Sequence, residues 1–254
     1  MPAPENPIKA RLAAGEFLSC LWLASGRPEL AEISGRAGFG CVVIDGEHAP
    51  NDIPAIAAQL AVLAGTGTPA AVRLPMGEDW MIKMALDQGA QTLIIPMVET
   101  AEEARRLVSA TRYPPAGHRG MGAAVARASD WNRVEDYGAT ADRQICLIPQ
   151  IETAAALPEI EAIAAVDGVD ALLIGPSDLS ATMGHPGDIG AVWPVIEEAI
   201  TRIVATGKAA AIFMPEVERA ARAKALGATL IAAGADTILL ATAARDLARR
   251  FAAL

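Results

Sequence analysis

Two carboxylates stand where a buried strand should end. Glu152 closes the apolar run Ile145-Cys146-Leu147-Ile148-Pro149-Gln150-Ile151, and Asp178 follows Ala171-Leu172-Leu173-Ile174-Gly175-Pro176-Ser177. A strand buried on both faces reads as a continuous apolar run, so a charge at its carboxyl end needs a reason. The segment between the runs, Thr153 to Val166, is rich in Ala, Glu and Ile and predicts a helix starting near Thr153. Strand, helix, strand makes a βαβ unit, which sets the two strands parallel and both acids on one side of the sheet. Two readings fit. The pair can hold one divalent cation through hard oxygen ligands, or each acid can cap the helix that follows it, where negative charge offsets the helix dipole.

The other strand ends add to this list. Cys41-Val42-Val43-Ile44 runs into Asp45-Gly46-Glu47-His48, and Ala70-Ala71-Val72 into Arg73. An imidazole titrates near neutrality, so His48 suits a base, with Asp45 placed to orient it. A lone His after a strand is equally at home on the surface or in a cap. Glu47 is a competing ligand or base, or a solvated side chain. Arg73 offers a fork of donors for a carboxylate or oxyanion. The turn Gly175-Pro176-Ser177-Asp178 presents the N–H groups of Ser177 and Asp178 as a nest for an anion, or is an ordinary turn. His118 and His185 have no metal-ligand spacing to another His. Arg119-Gly120-Met121-Gly122 lacks the strand before and the Lys-Ser/Thr after that a phosphate loop requires. No Lys stands at a strand end, as a Schiff-base mechanism would need: Lys83 and Lys208 fall in helix or loop contexts.

These positions require strands that converge. Apolar runs at Phe17–Ala24, Cys41–Asp45, Ala70–Arg73, Thr92–Pro96, Ala209–Phe213 and Thr229–Ala232 join the two above to make eight. Helical segments separate them: Pro28–Ala37, Ile53–Ala64, Trp80–Gln88, Ala101–Ala110, Val192–Ala205 and Val217–Leu226. Asp236–Ala253 closes the chain with one or two helical pieces. Alternating β and α implies a parallel sheet, and eight repeats imply closure into a (β/α)8 barrel over residues 1–254, with its site at the carboxyl ends of the strands. Tyr113–Arg143 interrupts the alternation as a long loop, functional or interfacial.

Composition narrows the partners. With 52% hydrophobic and 20% charged residues the chain has material for a large core, and at 4% aromatic it fills that core with aliphatics. A net charge of −9 argues against nucleic acid, whose phosphates need a basic surface. Cys20, Cys41 and Cys146 lie in apolar runs without CxxC spacing, which predicts buried reduced thiols. The start of the chain lacks the order of a signal peptide, and no apolar run reaches membrane-spanning length, so the expectation is a soluble cytoplasmic protein.

Taken together, Val43-Ile44-Asp45-Gly46-Glu47-His48, Ile95-Pro96-Met97-Val98-Glu99-Thr100, Tyr113-Pro114-Pro115-Ala116-Gly117-His118-Arg119-Gly120, Pro149-Gln150-Ile151-Glu152-Thr153, Ile174-Gly175-Pro176-Ser177-Asp178-Leu179-Ser180 and Met183-Gly184-His185-Pro186-Gly187 resemble one family. It is the metal-dependent (class II) 2-keto-acid aldolases, which include 4-hydroxy-2-oxoheptanedioate aldolase and 2-keto-3-deoxy-rhamnonate aldolase. The resemblance implies that Glu152 and Asp178 hold a divalent metal ion (Mg²⁺, Mn²⁺ or Co²⁺) that a 2-keto acid chelates. It further implies that Arg73 contacts the keto oxygen and that Gln150 lies beside metal and substrate. His48, oriented by Asp45, would move the proton with a metal-bound water, and the N–H groups of Ser177 and Asp178 would take the substrate carboxylate. Phe213 would line the aldehyde side, where an aliphatic residue is more usual, and Trp22 is a second pocket candidate or a core residue. The same resemblance implies a homohexamer, a trimer of dimers with an exchanged C-terminal helix, in which Asp87 reaches a neighbouring subunit's site. It also implies a place in the catabolism of aromatic compounds.

The expected reaction is reversible retro-aldol cleavage of a 4-hydroxy-2-keto acid to pyruvate, or a related 2-keto acid, and an aldehyde. A citrate- or malyl-CoA-lyase-like enzyme is the rival, though no basic cleft for coenzyme A phosphates is visible in the sequence. A barrel without catalysis is disfavoured, because every catalytic position carries a suitable residue.

Overall fold

A computed structural model describes residues Met1–Leu254. Its strands are β1 (Leu18–Leu23), β2 (Cys41–Asp45), β3 (Ala70–Arg73), β4 (Thr92–Ile95), β5 (Cys146–Ile151), β6 (Ala171–Ile174), β7 (Ala209–Phe213) and β8 (Ala228–Ala235). All neighbours pair in parallel, and β8 pairs with β1, so the sheet closes into a barrel in strict chain order. Helices α1 (Pro7–Ala13), α2 (Pro28–Gly35), α3 (Ile53–Leu63), α4 (Asp79–Asp87) and α5 (Ala101–Thr111) precede β5. After a short α6 (Tyr137–Thr140) come α7 (Ile160–Ala164), α8 (Pro176–Thr182), α9 (Ile189–Ala205), α10 (Val217–Ala225) and α11 (Asp236–Phe251).

The period of two along each strand explains the layering. Outward residues such as Val42, Ile44, Val72, Leu93, Leu172 and Ile212 pack beneath the helices in the larger core. Inward residues, among them Cys20, Trp22, Val43, Ala71, Ile94, Ile148 and Leu173, fill the barrel. The same parity carries Asp45, Arg73, Gln150 and Phe213 inward at the carboxyl ends, where the filling stops. At the other end Ile8 and Leu12 of α1 close the barrel floor. Asn6 caps that helix, accepting from the N–H groups of Ile8 and Lys9, and donates to Thr92 inside β4.

Three elements differ from the sequence expectation. Thr153–Val166 is not one helix: it begins as turn and a 3₁₀ segment at Leu157–Glu159, and only Ile160–Ala164 is α-helical. Pro158 explains this, since its ring and missing N–H exclude it from a helix interior. Glu152 therefore caps no helix. The segments holding α1 and α8 are also helical, each opened by a proline at its first position. The closing segment matches its expectation as a single helix, α11, whose Leu239, Leu240 and Phe251 lie exposed. No helix is long and apolar enough to cross a membrane, and all three cysteines are free and buried.

Candidate active site

The β2–β3 side of the mouth is built around a guanidinium. In register Asp45 lies opposite Arg73, and Asp45 Oδ1 accepts from Arg73 Nε at 2.8 Å, while Arg73 Nη1 lies 2.5 Å from Glu47 Oε2. Arg73 also stacks over the Trp22 ring at 4.2 Å, and Phe213 meets that ring edge-on at 5.4 Å. The guanidinium is thus buried, paired twice and fixed in plane, as a positioned electrostatic donor requires. Gly46 makes this approach possible, because a Cβ there would come within 2.7 Å of the Arg73 carbonyl. Asn51 holds the neighbouring strand ends together: its Nδ2 donates to the carbonyls of Leu23 (3.1 Å) and Asp45 (2.7 Å), while Gln59 Nε2 donates to its Oδ1 at 2.6 Å.

The β5–β6 side is built around a carboxylate. Glu152 is 1% exposed; its Oε1 accepts from the Met97 N–H at 2.8 Å and its Oε2 from Gln150 Nε2. Met97 reaches this position with φ +57°, a left-handed backbone uncommon for such a side chain. Gly175 is steric: a Cβ there would stand 2.5 Å from Glu152 Oε2. Burial raises the Glu152 carboxyl from its ordinary 4.5 to about 7; the bonds from Met97 and Gln150 work the other way, and the charges of Glu47 and Asp178 add to the rise. Glu47 is raised too, by burial working against the pull of Arg73. Asp178, in the first turn of α8, is open to solvent.

The structure brings the named residues together in one cavity of about 370 Å³, lined by Trp22, Asp45, His48, Arg73, Gln150, Glu152, Ser177, Asp178 and Phe213 among others. Trp22 serves both purposes weighed for it, being buried in the barrel core and facing the cavity. One expected contact is replaced. The Asp45 carboxylate bonds Arg73 and the main-chain N–H groups of Glu47 and His48, not the His48 ring. The ring instead lies 3.6 Å from Glu47 Oε1, with 64% of its side chain exposed. A guanidinium within reach is the stronger partner for a buried carboxylate. Asp87 lies elsewhere: at the carboxyl end of α4, away from its own mouth, it accepts from the buried Arg119 at 2.7 Å.

Three residues of the mouth carry no signal in the sequence: Met97, Asn51 and Gln59. Nothing in the residue type of Met97 announces a positive φ, and Asn51 reads as one more polar residue of a loop. Glu47, left open as a ligand, base or solvated residue, is a partner of Arg73.

The donor set suits a hard divalent cation. Four carboxylates (Asp45, Glu47, Glu152, Asp178) surround one guanidinium, and Arg73 is already ion-paired with the first two. Glu152 and Asp178 are left without a counter-charge, and the buried amide oxygen of Gln150 has no protein partner. No group of three or more His, Cys, Asp or Glu has metal-ligand spacing, so the site is unlike a structural zinc centre. It matches the way Mg²⁺-type ions bind, through one or two carboxylates with water and substrate completing the shell.

A closed eight-stranded barrel with an acidic, lysine-free mouth and one fixed guanidinium defines a (β/α)8 enzyme of carbonyl chemistry that does not use a Schiff base. The chain belongs to the HpcH/HpaI aldolase/citrate lyase family, whose model matches residues 18–243. It is 52% identical over 97% of its length to a hydroxypyruvate/pyruvate aldolase of Roseovarius nubinhibens, covering 96% of that protein. To a 2-keto-3-deoxy-L-rhamnonate aldolase of Klebsiella pneumoniae it is 47% identical, over 92% of this chain and 88% of the other. Among solved structures, an HpcH/HpaI aldolase/citrate lyase family protein from Burkholderia cenocepacia superposes with a TM-score of 0.90 at 39% identity, covering 97% of this chain and 99% of that one.

Proposed function

We propose that this protein is a class II pyruvate aldolase, a carbon–carbon lyase that reversibly cleaves 4-hydroxy-2-keto acids to pyruvate or a related 2-keto acid and an aldehyde. The observation that carries the reading is the buried Glu152 carboxylate beside Asp178, which the protein itself leaves uncompensated. Relatives named as aldolases of pyruvate, hydroxypyruvate and a 3-deoxy-2-keto sugar acid support the donor class.

Glu152 and Asp178 hold a divalent cation, Mg²⁺, Mn²⁺ or Co²⁺, which supplies Lewis-acid polarisation of a bound 2-keto acid. Cleavage of the C3–C4 bond leaves its electron pair on the pyruvate fragment, and negative charge develops on the keto oxygen. Arg73, held by Asp45 and Glu47 over Trp22, presents a fixed positive charge to that oxygen at no cost in reorganisation. His48, which lines the same cavity, takes the proton of the 4-hydroxyl as the aldehyde forms. Gln150 steadies Glu152, the N–H groups of Ser177 and Asp178 take the substrate carboxylate, and Phe213 and Trp22 face the aldehyde. A coenzyme A thioester is the poorer substrate, because Arg73 is the one permanently cationic residue lining the cavity. The whole chain acts as one barrel domain. The exposed apolar residues of α11 support assembly, as a homohexamer with that helix exchanged and Asp87 offered to a neighbour.

Exhaustive chelation with EDTA should abolish pyruvate release from a 4-hydroxy-2-keto acid, and Mg²⁺, Mn²⁺ or Co²⁺ should restore it. Full activity after chelation, or trapping of substrate on the protein by borohydride, would overturn the reading.

A further inference from the structure

Away from the mouth, on the outer wall of the barrel, a serine, a histidine and an aspartate are joined in series. Ser109 Oγ lies 2.8 Å from His118 Nδ1, and His118 Nε2 lies 2.8 Å from Asp79 Oδ2. Asp79 is held in turn by Arg106, whose Nη1 donates to Oδ1 at 2.8 Å. The three come from different elements: Ser109 from the last turn of α5, Asp79 from the first turn of α4, and His118 from the loop that follows α5. That loop returns to the helix through the His118 N–H, which donates to the Ser109 carbonyl at 2.9 Å. None of the three takes part in the chemistry of the mouth.

We propose that Ser109, His118 and Asp79 form a second, hydrolytic site that accepts activated esters of small acids. Triads are recognised by connectivity and role rather than by position in the chain. Here the Asp79 carboxylate, paired with Arg106, accepts from the proton-bearing His118 Nε2. The lone pair of Nδ1 then faces the Ser109 hydroxyl, the arrangement a general base needs. The site is open to substrate: Ser109 is half-buried and lines a groove of about 430 Å³ between α5 and α7, while His118 and Asp79 have side chains 47% and 50% exposed. The groove is also cationic. Arg112 pairs with Asp167, whereas Arg105, on the same wall, has no ion-pair partner and is available to the oxyanion or to an acidic acyl group.

The chemistry balances within the cluster. Ser109 Oγ bonds to the acyl carbon as its proton passes to His118 Nδ1; the acyl C–O bond breaks, and the departing alcohol takes that proton. Water then attacks the acyl-serine and gives a proton to His118, which returns it to Ser109 as the acid leaves. No oxidant or cofactor enters.

The test uses the full-length enzyme and 4-nitrophenyl acetate. The expected result is a burst of nitrophenolate approaching one equivalent per chain, with one acetyl group found on the Ser109 peptide by mass spectrometry. Ser109→Ala and His118→Ala should each lower the hydrolysis rate by about 10²-fold or more while retro-aldol activity, read separately, is unchanged. His48→Ala should do the converse. Hydrolysis equal to that of Ser109→Ala, or an acetyl group found on a lysine or another residue instead, would overturn the proposal and leave the cluster as a brace between α4, α5 and the loop. Because the aldolase assay is independent, neither result bears on the reading of the mouth.

Discussion

The two sides of the barrel mouth solve opposite electrostatic problems. On the β2–β3 side Arg73 meets Asp45 and Glu47, so buried charges compensate one another and the guanidinium is locked on Trp22. On the β5–β6 side Glu152 and Asp178 line the same cavity with no ion-pair partner from the chain, and the buried member is pushed up to about 7. The first side is compensated within the chain, whereas the second carries charge that no side chain offsets. The sharpest way to break this contrast is Glu152→Gln, which keeps an acceptor for the Met97 N–H but removes the charge. It should lower kcat/KM for pyruvate release by about 10³-fold, at the upper end for loss of one electrostatic stabiliser, and weaken Mn²⁺ binding measured calorimetrically. Unchanged Mn²⁺ affinity would mean the ion sits elsewhere.

On the compensated side the comparison predicts a geometric effect. Arg73→Lys keeps the charge but loses the fork shared between Asp45 and Glu47 and the planar stack on Trp22. Turnover should fall about 10²-fold with Mn²⁺ affinity retained. A variant with wild-type turnover would show that positive charge alone is needed there.

The uncompensated side also has a pH signature. The Glu152 carboxyl has its folded pKa raised, from 4.5 to about 7, so between those values the native state holds a proton the unfolded chain has released. Stability of the metal-stripped protein should therefore fall as pH rises through that window, by at most about 3 kcal/mol, and stay low above it. Thermal midpoints in EDTA from pH 5 to 8 (a range of about one unit beyond the upper value) measure this. Glu152→Gln should flatten the slope, and added Mn²⁺ should recover the loss at the alkaline end. An equal slope in the variant would assign the effect to another group.

Much of this architecture is legible in the sequence. Continuous apolar runs separated by helical segments mark the eight strands, and the carboxyl-end rule of parallel barrels then puts Asp45, Arg73, Gln150, Glu152 and Asp178 at one mouth. The terminal helix α1 was equally readable, with Asn6 as cap and Pro7 at the first position, yet short helices at chain ends carry too little periodicity to stand out. Thr153–Val166 misled because its composition is helical and the single Pro158 outweighs it. Partner choice was the least legible layer. Asp45 stands three residues from His48 in sequence, but the register of β2 with β3 puts Arg73 opposite it, and spatial pairing across strands overrides sequence proximity. Nor does a string of letters show that Met97 turns left-handed to aim its N–H at Glu152.

Asn51 gives the finest test of the compensated side. It touches no reacting group, yet its amide ties the ends of β1 and β2 through Leu23 and Asp45, and the loop bearing His48 springs from that tie. Asn51→Ala leaves both carbonyls and Gln59 without their partner, at about 1–3 kcal/mol of stability. If the tie sets the position of the Asp45–Arg73 pair and of His48, kcat should fall about tenfold, as a small misplacement of catalytic groups can cost up to 10²-fold. KM and Mn²⁺ affinity should hold, because Glu152 and Asp178 stand on the far side. Asn51→Asp, which keeps the size and the acceptor for Gln59 but loses the donor to both carbonyls, should resemble Asn51→Ala in kcat. Recovery of wild-type kcat in the Asp variant would show that filling the space, rather than tying the two strands, is what the mouth requires of this residue.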